Sequence, residues 1–325
     1  MESISGGQVI DPAAGAVYLL VSKTNTSVRG PWVLCRLDLR TGAVHLGQTF
    51  PVGSLIMASG YLWVYGAPGP GSQPAVSQVG PVTVALTRPI PLPPVPPGFA
   101  GPPVAVTAGP GGSVWIGSDR ALLRVSASTG SVLARAMLPH GLAVWDISAD
   151  TAGRILYVSA AHMVRGGGEG NVMLEYDARF GHRLATASGG LIRYSVAGAA
   201  LTAVPGGVWL SFRTGMLGLT IHLGKKGLRM IAPPRPGIAL RRPNGVFHWP
   251  MYETTAYGGG ALWVADQLGI MACLDPRTGR IRASERLRQS QLFYQIEAID
   301  PAARKILALH NDDLLQITPP RQCWS

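Results

Sequence analysis

Apolar residues in this chain come in short stretches, each bounded by glycine or by polar turn residues. Gly258-Gly259-Gly260-Ala261-Leu262-Trp263-Val264-Ala265 sets the pattern. It returns as Gly111-Gly112-Ser113-Val114-Trp115-Ile116, as Gly206-Gly207-Val208-Trp209-Leu210 and, more loosely, as Ser59-Gly60-Tyr61-Leu62-Trp63-Val64. Leucine, valine and tryptophan directly after glycine predict a β-strand leaving a tight turn. After Trp263 comes a second apolar stretch, Ile270 to Leu274, then the turn Asp275-Pro276-Arg277-Thr278-Gly279, then alternating residues. The turn recurs as Asp38-Leu39-Arg40-Thr41-Gly42, as Ser126-Ala127-Ser128-Thr129-Gly130 and, degenerately, as Asp177-Ala178-Arg179-Phe180-Gly181. Asp at its head caps backbone N–H groups, and Gly at its end accepts a positive φ.

The repeating unit is therefore four strands with an aromatic anchor in the second. Three copies replace the double glycine with another hairpin: Asp11-Pro12-Ala13-Ala14 before Tyr18, Asp150-Thr151 before Tyr157, and Asp300-Pro301-Ala302-Ala303 before Leu307. The anchors Tyr18, Trp63, Trp115, Tyr157, Trp209, Trp263 and Leu307 lie 42 to 54 residues apart. That period predicts an all-β fold, a single seven-bladed β-propeller domain over residues 1–325. Its blades fall at about 4–50, 51–91, 103–138, 142–189, 192–232, 246–288 and 291–325. A lone four-stranded sheet cannot bury both faces, so the anchors are expected to fill the layers between blades. The last blade ends after a third strand, Asp313 to Thr318, where Pro319-Pro320 blocks continuation. It is expected either to stay three-stranded, with Trp324 over its open edge, or to be completed by sequence upstream of Met1.

The phrases at 259–265 and 275–281 are similar to those of the YVTN/YncE-like and streptogramin-lyase-like superfamily of seven-bladed propellers. The resemblance covers nearly the whole chain and implies a fold only. Where the lyases carry Trp-Phe-Thr-Glu, this chain has Trp263-Val264-Ala265-Asp266 and Trp115-Ile116-Gly117-Ser118. Their His/Glu metal motif has no residue-by-residue counterpart here, so the lyase activity is not implied. The Gly-His and Trp-Asp signature of WD40 blades and the tryptophan-docking repeats of quinoprotein (PQQ-type) propellers are absent too.

Composition agrees with many short strands: 47% of the 325 residues are apolar and 14% charged, with 42 Gly and 27 Pro. That excludes a disordered chain and a helical bundle. The net charge of +11 is carried almost wholly by arginine. Such an excess suits phosphates, anionic headgroups or nucleic acid. The arginines are scattered, however, and the densest cluster, Arg277 to Arg288, lacks interleaved aromatics. A GC-biased, actinobacterial-like coding sequence is the expected origin, and nucleic acid is not an expected partner. Cys35, Cys273 and Cys323 lack metal spacing and are too few for a disulfide framework. Buried free thiols are expected, the alternative being a bridge from Cys323 to Cys35 or Cys273. No apolar run is long enough to span a bilayer, and the residues after Met1 show no signal peptide. A cytoplasmic monomer is the default expectation, an extracytoplasmic one if the true start lies upstream.

Candidate chemistry concentrates where first strands begin, the usual mouth of a propeller channel. Those segments read Phe247-His248-Trp249-Pro250-Met251-Tyr252-Glu253, Gln291-Leu292-Phe293-Tyr294-Gln295, His140 through Trp145, and Arg193-Tyr194. They predict an aromatic-walled pocket formed by His140, Trp145, Arg193, Tyr194, Trp249, Tyr252, Tyr294 and Gln295. Its expected ligand is a small molecule, glycan or peptide, with no cofactor evident. The alternative is a lyase or hydrolase in which His248 and Glu253 form an acid/base pair or hold a divalent ion. Two further segments stand out. Gly66 to Pro74 is an excursion inside the second blade, and Pro89 to Pro103 is a polyproline-like strap expected to act as a stiff connector.

Overall fold

A computed structural model describes residues 4–11, 14–22, 32–50, 53–66, 75–80, 84–86, 89–92, 104–150, 152–164, 167–188, 199–212, 219–224, 227–231, 252–266, 270–287, 294–310 and 313–324. The chain divides into two compact units, Met1–Pro97 with Pro103–Leu138, and Gly98–Pro102 with Pro139–Ser325.

The first unit holds three antiparallel four-stranded meanders. One runs through β1 (Ile4–Asp11), β2 (Ala16–Ser22), β3 (Trp32–Asp38) and β4 (Val44–Phe50). The second has β5 (Gly53–Ala58), β6 (Tyr61–Gly66), β7 (Ala75–Val79) and a stunted β8 (Ile90–Pro91), and the third β9 (Ala105–Gly109), β10 (Ser113–Ser118), β11 (Ala121–Ser126) and β12 (Val132–Met137). Tyr18, Trp63 and Trp115 are all buried. Tyr18 lies in a layer with Leu55, Leu62 and Val64 of the next sheet, and Trp63 in one with Val114, Ile116 and Leu123. Burying each ring contributes about 3 kcal/mol.

The second unit begins with the sheet of β13 (Leu142–Ala149), β14 (Ile155–Val164), β15 (Gly167–Asp177) and β16 (Arg183–Ser188). Next come β17 (Ala199–Val204), β18 (Gly207–Phe212), β19 (Leu219–Gly224) and β20 (Gly227–Ile231). The third sheet is β21 (Tyr252–Gly258), β22 (Ala261–Asp266), β23 (Ile270–Leu274) and β24 (Ile281–Arg286). A three-stranded sheet of β25 (Tyr294–Asp300), β26 (Lys305–His310) and β27 (Asp313–Ile317) closes the unit. Among the described residues there are thus six four-stranded blades and one three-stranded sheet. Tyr157, Trp209 and Trp263 are buried, whereas Leu307 in the three-stranded sheet is half-buried.

The Thr-Gly turns share one hydrogen-bond scheme, which explains their sequence. In each, the first residue's N–H donates to the carbonyl five residues on, and the fifth residue's N–H donates back to the first carbonyl, as at Asp38, Ser126, Asp177 and Asp275. Asp38 Oδ1 also accepts from the N–H groups of Arg40 and Thr41 and from the Thr41 hydroxyl, and Asp275 does the same with Arg277 and Thr278. The closing glycines Gly42, Gly130, Gly181 and Gly279 all have φ near +70°. A fifth copy escapes the sequence pattern. Gly80 N–H bonds Ala85 O and Val84 N–H bonds Gly80 O, with Val84 at φ +52° in the glycine's place.

One expectation is corrected at the C-terminal end. Cys273 and Cys323 form a disulfide, with Cα atoms 5.7 Å apart, and Cys35 alone remains a buried free thiol. The short helix Arg321–Cys323 brings both sulfurs together, a contact that sequence spacing could not reveal. The Trp324 ring packs 5.0 Å from that of Trp263 and over Gly259, where any Cβ would meet it at 2.5 Å, in a layer that also holds Leu315 and Ile317 of the last strand.

Candidate functional site

First strands of successive sheets in the second unit lie side by side and run the same way. Asp146 Oδ2 accepts from Leu201 N–H at 2.6 Å and Ser148 Oγ from Ala203 N–H at 3.0 Å, so numbering rises together along β13 and β17. Thr202 and Thr255 hydroxyls meet at 2.6 Å and link β17 to β21. The starts of these strands therefore share one end of the unit.

Register places several expected residues close together near the strand starts. Ser148, Ala256 and Ala298 pair with the anchors Tyr157, Trp263 and Leu307. Tyr252 and Tyr294 share one level, pairing with Asp266 and His310, the third residue after each anchor. Trp145 and Glu253 lie just inside that level, and Gln295, paired with Leu309, is one level further in, in line with Asp146 and Thr254. Trp145 and Glu253 are the extra residues of β-bulges, which break the register between Val144 and Asp146 and between Tyr252 and Thr254. A bulge re-aims a side chain on an otherwise regular strand. A third bulge falls at Glu297, which sequence reasoning passed over, because period-two alternation does not announce an inserted residue. Trp145 is half-buried, and His140 is exposed in the turn before β13. Arg193, Tyr194, His248 and Trp249 lie outside the described residues, as do the excursion after Gly66 and most of the proline strap.

Behind those strand starts lies an unusually polar interior. Pairing puts Asp146, Ser148, Tyr157, Ser159, Met173 and Glu175 on one face of the β13–β16 sheet, the face turned toward β17. Burial pushes the Asp146 carboxyl up to about 6, although backbone N–H groups of Leu201 and Ile147 oppose the shift. Burial likewise pushes Glu175 up to about 7, and burial with the nearby Glu175 and Asp150 charges raises Tyr157. Glu175 Oε1 and Ser159 Oγ are buried without a hydrogen-bond partner. Both oxygens are sequestered from solvent. Among the described residues no three His, Cys, Asp or Glu side chains converge to hold a metal.

The first unit carries a separate cleft of about 500 Å³, lined by Trp63, Gln78, the Pro89-Ile90-Pro91 strand and the Ser128–Val132 turn. It exists because Pro89 and Pro91 cannot donate to a ladder and cut β8 to two residues. Gln78 Nε2 donates to Ala127 O across its floor at 3.0 Å. Its lining side chains are all un-ionisable.

The chain is similar to BamB from Moraxella catarrhalis, with a TM-score of 0.61 and 16% identity over 96% of this chain and 84% of that one. It is also similar to the computationally designed Ika8 protein, with a TM-score of 0.55 and 13% identity over 97% and 96% of the two chains. The fold is propeller-like. At such identities the likeness concerns the fold alone. No protein-family model and no curated protein matches the chain.

Proposed function

We propose that this chain is a single seven-bladed propeller, of the kind found in YVTN-like proteins, whose role is to bind or scaffold rather than to catalyse. Its ligand face is the end where first strands begin. The observation that carries the reading is that Tyr252 and Tyr294 share one register level near the strand starts, with the bulge residues Trp145 and Glu253 just inside it and Gln295 one level further in. Aromatic rings beside a few polar groups on adjacent strands suit a small molecule, glycan or peptide, because rings supply apolar area and polar groups fix orientation. His140, Arg193, Tyr194 and Trp249 complete the same face in this reading.

A thermal-shift screen against oligosaccharides and short peptides tests it. A ligand that raises the melting temperature of the wild type, but not of Tyr252→Ala or Tyr294→Ala, is the expected result. Conversion of such a ligand to a product by the wild type, lost in His248→Ala and Glu253→Gln with the fold intact, would instead establish the hydrolase or lyase reading. A divalent ion would then belong to His248 and Glu253.

A further inference from the structure

We propose that the opposite end of the second unit, where the hairpins cluster, docks on anionic lipid surfaces. In a four-stranded meander the turn between strands one and two and the turn between strands three and four fall at the same end. Ala178 N–H donates to Arg154 O at 2.8 Å and ties the two turns of the β13–β16 sheet together. Because first strands run the same way, the hairpins of the other sheets share that end, and the group of Trp145, Glu253 and Gln295 lies away from it.

This end exposes its cations more than its anions. Arg154, Arg179, Arg277, Arg280 and Arg304 are exposed on turns of three sheets. The Arg154 side chain is 81% exposed, even with its guanidinium 3.9 Å from Asp150. The aspartates of these turns are partly buried, each with one oxygen accepting from the backbone, and the second oxygen of Asp275 pairs with Arg282 at 3.0 Å. Asp150 Oδ1 accepts from Arg154 and Ile155 N–H, Asp177 Oδ1 from Arg179 and Phe180 N–H, Asp275 Oδ1 from Arg277 and Thr278 N–H, and Asp300 Oδ1 from Ala303 N–H. The Thr-Gly turn thus has a second consequence: capping draws the carboxylate, still charged, against the backbone and leaves the arginine two positions on facing outward.

Among these cations stands an exposed ring. Phe180 is 57% exposed at the tip of its turn, with the Arg179 guanidinium carbon 5.2 Å from the ring centroid. An apolar ring flanked by arginine suits the headgroup region of a bilayer, where the ring enters the acyl boundary and the guanidinium meets phosphate. The arginines are spread over turn tips rather than set along a groove, which matches a lipid surface better than a phosphodiester strand.

Co-sedimentation of the full chain with phosphatidylglycerol vesicles and with phosphatidylcholine vesicles tests the proposal. Binding to the first, none to the second, and release at high salt are expected. Each exposed arginine should contribute roughly five-fold to partitioning. Arg179→Glu with Arg277→Glu should therefore abolish binding at low salt, while Phe180→Ser weakens it and leaves its salt dependence in place. Should the double variant fail to fold by circular dichroism, Arg154→Glu, on a side chain that reaches into water, carries the same expectation. Equal binding to both vesicle types, no binding to anionic vesicles, or unchanged binding by a folded charge variant would overturn the proposal. So would tighter binding of duplex DNA than of vesicles at the same salt.

Discussion

Glu175 shows how much one buried carboxyl can shape stability. Burial raises its folded-state pKa to about 7 from the ordinary 4.5. Between those values the folded protein therefore holds a proton that the unfolded chain has lost. Stability from this group is complete below pH 4.5 and is lost as pH rises through 7. Asp146, raised to about 6, acts in the same direction. The melting temperature should thus be higher at pH 5 than at pH 8, against the trend of proteins whose carboxylates are ion-paired. Glu175→Gln, isosteric with the protonated acid, should remove about 1–3 kcal/mol of that fall. A melting series in pH for both proteins checks it, and parallel curves would refute it. Gly47 makes a second residue-scale case. A Cβ there would come within 2.6 Å of the Val84 carbonyl oxygen and 2.7 Å of its Cγ1. Val84 is held at positive φ by its turn and cannot retreat, so Gly47→Ala should cost about 1–3 kcal/mol in denaturant unfolding.

At the scale of elements, most of the chain was legible because turn and strand chemistry repeat. Glycines after a first strand, an aromatic in the second and an Asp-to-Gly turn after the third each have one local cause. Every described Thr-Gly turn has the geometry its residues require. Legibility failed where one residue departed from the pattern while its neighbours held the shape. Val84 in a glycine's place hid the fifth turn, and the bulges at Trp145, Glu253 and Glu297 left no mark in the alternation. The polar face went unread for a related reason: only pairing with Tyr157 places Glu175 inside. The tail was misread because its contact is tertiary. Cys323 joins β23 over a separation of 50 residues, and Trp324 completes the layer around Trp263. Closing a loop of that size stabilises by about 2–4 kcal/mol. Cys323→Ser, or the wild type under reducing conditions, should therefore melt lower. An unchanged transition under reduction would mean that the bridge contributes nothing.

For the whole molecule, the question is how widely the loss of one anchor is felt. In a stack of repeats, stability is shared between each unit and its interfaces with neighbours. An open array can therefore melt piecewise, whereas a closed ring has no end from which to fray. Contacts group the chain into two compact units, residues 1–97 with 103–138 and the remainder. The single-domain propeller proposed above predicts that these units unfold together, in one calorimetric transition. Trp263→Ala removes a fully buried indole from the second unit, together with its Nε1–H bond to Gly258 O, and should cost about 3–5 kcal/mol. If the ring is closed, the entire transition moves down, and probes in the first unit, such as the fluorescence of Trp63 and Trp115, report the same lower midpoint. Two transitions, only one of them displaced by the substitution, would show two domains and would refute the single closed ring.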